Sequence, residues 1–455
     1  MRKLHRRILY FLLLGVLVFA VIYAWPRAPI ITSFAAKGMC SSVFLAGKDP
    51  DRIEAEDLSF FPISLAKMEI DFEEKSVTAT VFGLAKRKAV FREGLGSAHV
   101  LDIPEAELMK QSFQIPDPGY SQDTIPWPRG NVLPDSLPAG VDLEKLASVV
   151  EGAFDPPGEK PFLKTLAVAV VYDGNLIAEK YVEGYNENTR FHGWSMTKSV
   201  TSSLVGILAG EGKIDIKAPV NFPEWKDDER GKITLENLMH ASSGLKWLEN
   251  YFTISESTLM LMMSSDMVEY VLQRPLEYSP GSHYNYSSGD ANLVSGAIRN
   301  AIGNDQVYYG YPYKALMYRI GMLNTTIETD AAGNFVSSSY SYGTTRDWAR
   351  FGLLYANDGV FAGDTILPSG WVQYSMLEAP ATNEGQYGAA FWLEDPDPER
   401  SYEGLPDDIF SANGFLGQRI FIIPSKKLVV VRMGFGSSDF GFKNMLSDIL
   451  STLPE

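Results

Sequence analysis

The fold of this chain is decided by the stretch FHGWSMTKSVTSSLVGILAGEGKI, residues 191–214. Its apolar side chains fall at helical spacing, at Met196, Val200, Leu204, Ile207 and Leu208. This spacing predicts a helix with a continuous apolar face, and the glycines at 210 and 212 predict its end. Ser195 and Lys198 stand three residues apart at its start, so the stretch also raises a question of chemistry.

Two stretches with hairpin signals flank this helix. Before it, LAVAVVYDGNLIAEKYVEG (residues 166–184) has two apolar runs around an Asp-Gly-Asn turn. Near the end of the chain, RIFIIPSKKLVVVRMG (residues 419–434) has two more, and the amphipathic helix FKNMLSDILSTL follows. Residues 215–330 have the pattern of helix and loop. We therefore predict an α+β fold, in which an antiparallel sheet with meeting first and last strands is flanked by helices and a helical subdomain.

The N-terminal part of the chain has a different composition. Residues 1–7 predict a basic cytoplasmic segment, and residues 8–25 predict a transmembrane anchor, because a spanning helix needs about 17 apolar residues or more. A cleaved signal peptide is the alternative. Residues 27–115 predict a small β-rich region, because residues 68–94 alternate apolar and polar positions. Residues 116–141 predict a Pro/Gly-rich linker, and residues 142–455 the main domain. This organisation predicts a single-pass membrane protein with a periplasmic, extracytoplasmic main domain.

Composition argues against several classes of function. The 455 residues carry a net charge of −16, which disfavours a nucleic-acid partner because phosphate backbones need a basic surface. The single cysteine, Cys40, excludes an internal disulfide and a thiolate metal cluster. The five histidines are scattered without paired spacing, so we expect no metal site.

Ser195 and Lys198 are candidates for nucleophilic chemistry. A serine hydroxyl is a weak nucleophile until a base removes its proton, and a lysine can be that base where its surroundings lower its pKa. Residues three apart lie on the same face of a helix, and the N–H of Ser195 would lie at the positive end of the helix dipole. The bare Ser-x-x-Lys pattern is weak evidence, because it also occurs at residues 64–67 and 243–246, where surface positions can explain it.

Five segments in a fixed order make the pattern more specific. They are SMTKSVTSSLVGIL, ITLENLMHASSGL, PGSHYNYSSGDANLVSGAI, TTRDWARFGLLYANDG and SANGFLGQRIFIIPSKKLVVVRMG. Over residues 140–453 the chain resembles the serine β-lactamase and penicillin-recognising superfamily, and within it the class C-like esterases and the 6-aminohexanoate-dimer hydrolases. The resemblance implies a serine hydrolase that cleaves an amide or ester bond of a small molecule through an acyl-enzyme and uses no cofactor.

The resemblance also implies roles for individual residues. Ser195 would be the acylated nucleophile and Lys198 its base. Tyr286 follows Pro280-Gly281 at the spacing of the second motif and would be the second acid/base, while Tyr284 is the competing choice. Ser288 stands where the penicillin-binding relatives have asparagine and would contact the substrate.

The third motif, usually Lys/His-Thr/Gly-Gly on a strand beside the site, becomes Ala412-Asn413-Gly414. Because the cation is absent, we expect no binding of the carboxylate that β-lactams and D-Ala-D-Ala peptides present. Gly414 would let the strand approach the substrate, and Asn413 would contact it. The N–H groups of Ser195 and Phe415 would form the oxyanion hole.

Several alternatives stay open on the sequence alone. Trp247 would either line the substrate pocket or pack beneath a loop. His192 or His283 could serve a histidine-based triad, but the chain lacks G-x-S-x-G, so we expect His192 to shape the turn before Ser195. The rival functions are a β-lactamase or D,D-peptidase acting on the cell wall, and a non-catalytic envelope protein that uses the fold for binding.

Overall fold

A computed structural model of the protein describes residues 2–156, 162–379, 381, 385–394, 401–436 and 440–454. The chain divides into two compact units. Unit 1 consists of Met1–Ser112, Leu248–Asp266 and Asp330–Ala332, and unit 2 of Phe113–Trp247, Met267–Thr329 and Gly333–Glu455. Unit 1 therefore includes two segments from the second half of the chain.

Unit 1 is built on an antiparallel sheet whose strands pair in chain order. The strands are β1 (Ala66–Asp71), β2 (Ser76–Val81), β3 (Leu84–Arg92) and β4 (Gly96–His99). The helices are α1 (Arg2–Phe19), α2 (Ala28–Phe44), α3 (Pro50–Ala55), α4 (Glu105–Leu108) and, from later in the chain, α8 (Glu256–Met263). One face of the sheet packs on α2, where Val77 and Ala89 share a buried cluster with Ala36 and Met39.

The predicted transmembrane anchor at residues 8–25 is wrong. None of the described helices combines the length and the apolar character that crossing a membrane requires. Helix α1 includes the basic residues of the N-terminal segment, and its uncharged part runs for only twelve residues, from Ile8 to Phe19. Twelve helical residues span about 18 Å, whereas the hydrocarbon core is about 30 Å thick. The single-pass arrangement and the periplasmic placement that were inferred from this anchor are corrected with it.

Unit 2 is built on a larger antiparallel sheet. Its strands are β5 (Thr165–Tyr172), β6 (Asn175–Tyr181), β12 (Phe410–Gly414), β13 (Gln418–Ile423) and β14 (Leu428–Gly434). They lie side by side in the order β12-β13-β14-β5-β6. Strand β5 pairs with β14, for example through Val170 opposite Val430, so an early strand and the last strand meet as the sequence predicted.

The two hairpins of this sheet form where the sequence places turn residues. Asp173 and Gly174, between β5 and β6, have φ angles of +45° and +77°. Two consecutive left-handed residues match the twist of the flanking strands, and Asp-Gly is a favoured pair for such turns. Lys427, between β13 and β14, has a φ angle of +48° and ends a short 3-10 turn that begins at Pro424.

Helices cover both faces of the unit 2 sheet. On one face, α5 (Leu143–Gly152) and α14 (Phe442–Leu450) bury Leu146 and Leu446 against Phe421 and Val430. On the other face, α12 (Thr345–Ala356) packs on β5, β13 and β14. Gly352 of α12 lies so close to the sheet that a Cβ there would be 2.4 Å from a methyl group of Val429.

The remaining elements of unit 2 include one largely buried helix, α6 (Met196–Gly210). The other helices are α7 (Leu235–Met239), α9 (Met267–Leu272), α10 (Ser288–Ile302), α11 (Asp305–Pro312) and α13 (Trp371–Met376). The short strands are β7 (Arg190–His192), β8 (Thr326–Ile327), β9 (Ser341–Thr344), β10 (Val360–Phe361) and β11 (Asp364–Thr365). Strand β7 pairs with β9. Ser195, the first residue of the Ser-x-x-Lys motif, lies three residues after the end of β7.

Candidate active site

Ser195 is presented by a left-handed turn at the start of α6. Trp194, directly before it, has a φ angle of +50°, which residues other than glycine rarely adopt. Ser195 is the N-cap residue of α6, where a serine usually bonds an amide of the first turn, but its side chain makes no capping hydrogen bond. The partly exposed hydroxyl of Ser195 is therefore available to a different partner.

That partner is the buried ammonium group of Lys198. The side chain is 4% exposed, and Nζ donates to Oγ of Ser195 at 3.1 Å. Nζ also donates to the carbonyl of Ser338 at 2.9 Å and to Oγ of Ser288 at 3.2 Å. A protonated lysine has three N–H donors, so these oxygens can satisfy all of them. Because burial disfavours the charged form of a lysine, this environment suits a group that exchanges a proton with its neighbours.

Tyr286 also lies against Lys198. Nζ is 4.9 Å from the centre of the Tyr286 ring, which packs in turn on Trp392 at 5.1 Å and on Tyr387 at 5.6 Å. The competing residue, Tyr284, has a buried hydroxyl without a hydrogen-bond partner among the described residues. Burial, and then the nearby Tyr286, raise the pKa of Tyr284 well above its usual range, which disfavours a phenolate there.

Ser288 is placed behind Lys198 rather than at the surface of the site. It is completely buried at the first position of α10, and its hydroxyl accepts from Nζ of Lys198 at 3.2 Å. The preceding residue, Ser287, caps the helix by accepting from the amide of Asp290. The cap fixes the start of α10 and with it the position of the Ser288 hydroxyl.

Strand β12 reaches the turn before Ser195 at Gly414. A Cβ on Gly414 would lie 2.4 Å from the carbonyl oxygen of Gly193, so this close approach requires glycine. The partly exposed ring of Phe415, one residue on, meets Trp194 edge to face at 5.3 Å. The structure thus brings Gly414 and the ring of Phe415 to the two residues that precede Ser195.

Asn413 and Trp247 are both largely buried. Asn413 is 9% exposed, and neither polar atom of its amide has a partner among the residues that the structure describes. Trp247 is 6% exposed, and its ring covers Gly289, where a Cβ would lie 2.7 Å from the ring. Its carbonyl accepts from Asn285 at 2.9 Å. Trp247 therefore packs against the start of α10, next to the segment that carries Tyr286.

Both candidate histidines make stacking contacts in the structure. His192 bonds through Nε2 to the carbonyl of Ser339 at 2.8 Å, and its ring is stacked between Trp194 at 3.8 Å and Tyr342 at 4.5 Å. His283 stacks on Tyr278 at 4.1 Å. In the described parts of the chain, no group of three or more His, Cys, Asp or Glu residues is arranged to hold a metal ion.

Three residues at the site were not foreseen from the sequence. The carbonyl of Ser338 accepts from Lys198 although the two residues lie 140 positions apart. Trp392 and Tyr387 pack on Tyr286 from a segment with little regular structure. A backbone carbonyl carries no sequence signal, because every residue has one. The aromatic residues are two among the many in a chain with 12% aromatic content.

Comparison with known proteins shows a family and several relatives that the chain resembles. The family model described as Beta-lactamase matches residues 150–438. A 6-aminohexanoate-dimer hydrolase of Paenarthrobacter ureafaciens is 24% identical over 294 residues, which cover 59% of this chain and 72% of that protein.

Two solved structures share the fold. A Bacillus anthracis structure, described as a candidate 6-aminohexanoate-dimer hydrolase, has a TM-score of 0.57 and 23% identity, and the match covers 72% of this chain and 90% of that one. A family VIII carboxylesterase has a TM-score of 0.52 and 15% identity, with coverage of 68% and 96%.

Proposed function

This chain belongs to the beta-lactamase family and is a serine hydrolase, and from that premise we propose that it cleaves an amide or ester bond through an acyl-enzyme on Ser195. The observation that carries the proposal is the hydrogen bond between Lys198 and Ser195, at 3.1 Å, with the lysine buried and the serine partly exposed. A nucleophile within hydrogen-bond reach of a buried base is the arrangement that serine acylation needs.

Lys198 takes the proton of Ser195 in the first step. When the lysine is neutral, the Ser195 hydroxyl donates its hydrogen to the Nζ lone pair, while Ser288 and the Ser338 carbonyl accept the two remaining Nζ hydrogens. Oγ then forms a bond to the substrate carbonyl carbon, and Nζ becomes an ammonium. Collapse of the tetrahedral intermediate breaks the bond to the leaving group and yields the acyl-enzyme.

The developing oxyanion is held by two backbone amides, those of Ser195 and Phe415. The Ser195 amide lies at the N-terminus of α6, where the helix dipole favours negative charge. The close approach of Gly414 to Gly193 supports the second amide, because it holds the backbone at Phe415 next to the turn. Preorganised donors of this kind are worth about 10²–10³-fold in rate each.

Tyr286 returns the proton. Its ring lies 4.9 Å from Nζ of Lys198, close enough for its hydroxyl to belong to the same proton network. It protonates the leaving group, and the proton that Lys198 gained replaces the one lost. Water then attacks the acyl-enzyme by the reverse proton path and releases the carboxylic acid.

The substrate class is a neutral amide or ester without a carboxylate beside the reacting bond. Ala412 is 1% exposed and offers no cation where an anionic substrate would need one, and the chain's net charge of −16 disfavours anions further. Asn413, with its unpartnered amide on β12, supplies both a donor and an acceptor for a polar, uncharged group. The relative that is named for hydrolysis of the 6-aminohexanoate dimer supports a linear amide as the first substrate to assay.

The proposal is tested with a fluorophosphonate probe and a panel of substrates. We expect one covalent adduct per chain in the wild type and none in Ser195→Ala at equal folding. A panel of p-nitrophenyl esters, 6-aminohexanoate dimer, nitrocefin and a D-Ala-D-Ala peptide then identifies the substrate class, with turnover expected for the first two. Labelling that survives Ser195→Ala would refute the assignment of the nucleophile, and rapid nitrocefin turnover would instead favour a β-lactamase.

A further inference from the structure

The serine segment, defined as residues 337–340, carries the carbonyl that faces Lys198. Ser338 lies at its centre and uses both backbone polar groups outside the segment. Its carbonyl accepts from Nζ of Lys198 at 2.9 Å, and its N–H donates to Oδ1 of Asn292 at 3.1 Å. Neighbouring amides behave differently, since those of Ser339 and Tyr340 both bond within the turn to the carbonyl of Val336. Asn292 therefore anchors the N-terminal side of the Ser338 Cα, while the peptide that carries the Ser338 carbonyl is anchored through the amide of Ser339.

Asn292 holds this bond from a buried position on α10. It is 1% exposed on α10, and its Nδ2 group points to the sulfur of Met267 at 3.8 Å, which leaves Oδ1 directed at Ser338. Asn292 lies four residues after Ser288, and residues at this spacing share one face of a helix. The same face of α10 thus meets Lys198 twice, directly through Ser288 and indirectly through Asn292 and Ser338.

We propose that Asn292 is a positioning residue for Lys198, which acts by fixing the Ser338 carbonyl as the third acceptor of the catalytic ammonium. The inference rests on the proposed function, in which Lys198 is the base. Without the Asn292 acceptor, the N–H of Ser338 loses its partner and the Ser338 Cα is free to shift, so the carbonyl on that Cα is no longer held opposite Ser195. The lysine then leaves the geometry in which its lone pair faces the Ser195 hydroxyl.

Contacts that do not involve Asn292 also hold the serine segment in place. The effect of removing Asn292 can therefore be separated from unfolding of the segment. The carbonyl of Ser339 accepts a hydrogen bond from Nε2 of His192 at 2.8 Å, and the hydroxyls of Ser338 and Ser339 form a hydrogen bond with each other at 3.0 Å. Removing Asn292 is therefore expected to reorient one peptide rather than to unfold the segment.

Two variants of nearly equal size separate positioning from packing. Asn292→Leu fills the same space without an acceptor, whereas Asn292→Asp keeps an oxygen for the Ser338 amide but buries a carboxyl group. If Asn292 only packed, Leu would be tolerated better than Asp, because an unneeded buried charge is costly. If it positions Lys198, Asp keeps most of the rate of fluorophosphonate labelling, and Leu slows it by about tenfold to a hundredfold, the usual value of one hydrogen bond to a charged group.

The controls use the same helix and the same reaction. Ser295→Ala removes another buried hydrogen bond of α10, to the Tyr308 hydroxyl at 2.6 Å, and should lower the melting temperature without slowing the labelling of folded protein. Rates are compared only for protein shown to be folded by circular dichroism. Should Asn292→Leu fail to fold, the smaller change Asn292→Ala provides the same comparison.

Each outcome decides between the two proposals. Slow labelling of Asn292→Leu with near wild-type labelling of Asn292→Asp supports the positioning role. Equal rates in folded wild type and Asn292→Leu, or an Asp variant as slow as the Leu variant, would overturn it. Wild-type protein that takes no label, or that takes it without Ser195, would instead refute the proposed function itself.

Discussion

Lys198 is buried next to oxygens that carry no formal charge, at Ser195, Ser288 and Ser338. Burial disfavours the charged form of a lysine, and a lysine that serves as the base for a serine has to exchange a proton with it. The same residue is thus awkward for folding and suited to catalysis. This trade between stability and reactivity is expected at active sites.

The first prediction concerns Lys198→Met, which keeps the length of the side chain and removes the amine. We expect the rate of fluorophosphonate labelling to fall by about 10²–10⁴-fold, the usual contribution of a general base. We expect the melting temperature to stay level or to rise, because an apolar group replaces a buried charge. Calorimetry and timed labelling measure the two effects. A folded Lys198→Met variant that labels at the wild-type rate would exclude Lys198 as the base.

The second prediction compares two tyrosines two residues apart. Tyr286→Phe should lower kcat by about 10²–10⁴-fold, because the proton donor is lost while the ring that packs on Trp392 remains. Tyr284→Phe should leave kcat unchanged and raise the free energy of unfolding by about 1 kcal/mol, since its buried hydroxyl has no partner in the described structure. Steady-state kinetics and urea denaturation measure both. The reverse pattern would assign the acid/base to Tyr284.

At the residue scale, local patterns in the sequence predicted the pairs that lie close in the chain. Ser195 and Lys198 lie about one turn apart at the start of α6, so the 3.1 Å contact between their side chains follows from helical spacing. The role of Asn292 could not be predicted this way, because it acts on Ser338 across 46 positions and through a backbone carbonyl. Such contacts arise only when separate elements pack.

At the element scale, the site depends on how closely β12 meets the turn that precedes α6. The third prediction is that Gly414→Ala disrupts this approach, since its Cβ would lie 2.4 Å from the Gly193 carbonyl oxygen and backbone must move. We expect a loss of at least about tenfold in kcat/KM together with a destabilisation of about 1–3 kcal/mol, the usual cost of overpacking. Kinetics and thermal unfolding measure the two losses.

Gly152→Ala provides the matched control. Gly152 lies in α5, where a Cβ would meet nothing within 4 Å, so the change should be neutral or slightly stabilising. It should leave kcat/KM unaltered. Wild-type kinetics for Gly414→Ala would show that the close approach of β12 is not needed for activity.

The elements of the unit 2 sheet were predictable because each is specified by local sequence. Two apolar runs around Asp173 and Gly174 form β5 and β6, and the hairpin near the C-terminus forms β13 and β14. The prediction for the N-terminal segment was wrong because it, too, relied on a local pattern, the length of an uncharged run. A stretch without charges was read as one spanning helix, but the helix that forms contains the basic residues and ends at Phe19. The length of an apolar run does not determine where helical geometry stops.

At the scale of the whole molecule, unit 1 gathers residues that the sequence gives no reason to join. Leu248–Asp266 and Asp330–Ala332 belong to it although they lie within the chain of unit 2. A buried contact inside unit 1 shows the consequence, since His99 of β4 bonds through Nε2 to the carbonyl of Leu261 at 3.1 Å. Long-range pairings of this kind depend on tertiary packing rather than on local propensity.

The fourth prediction is that unit 1 loses stability in mild acid. Burial, and then the nearby Lys37, lower the pKa of His99 to about 3, whereas an unfolded histidine titrates near 6.5. Because the unfolded chain binds the proton more readily, the contribution of neutral His99 is complete above about pH 6.5 and is lost as the pH falls towards 3. The linkage amounts to about 2 kcal/mol at pH 5 relative to neutral pH.

Cys40 offers a probe of this effect, because it is the single cysteine of the sequence and is completely buried on α2. We expect the rate of its modification by a dithiodipyridine reagent to rise between pH 7.5 and pH 5 in the wild type. The rise should be smaller in His99→Gln, which keeps a donor for Leu261 but does not titrate. An equal rise in both proteins would show that His99 does not govern the acid stability of unit 1.

The most direct test of the acyl-enzyme mechanism is a rapid-quench reaction with p-nitrophenyl acetate, followed by mass spectrometry of the digested protein. We expect a burst of about one p-nitrophenol per chain and a single acetyl group on the peptide that contains Ser195, with both signals absent from Ser195→Ala and strongly slowed in Lys198→Met. Hydrolysis without a burst, or an acetyl group on any other residue, would contradict it.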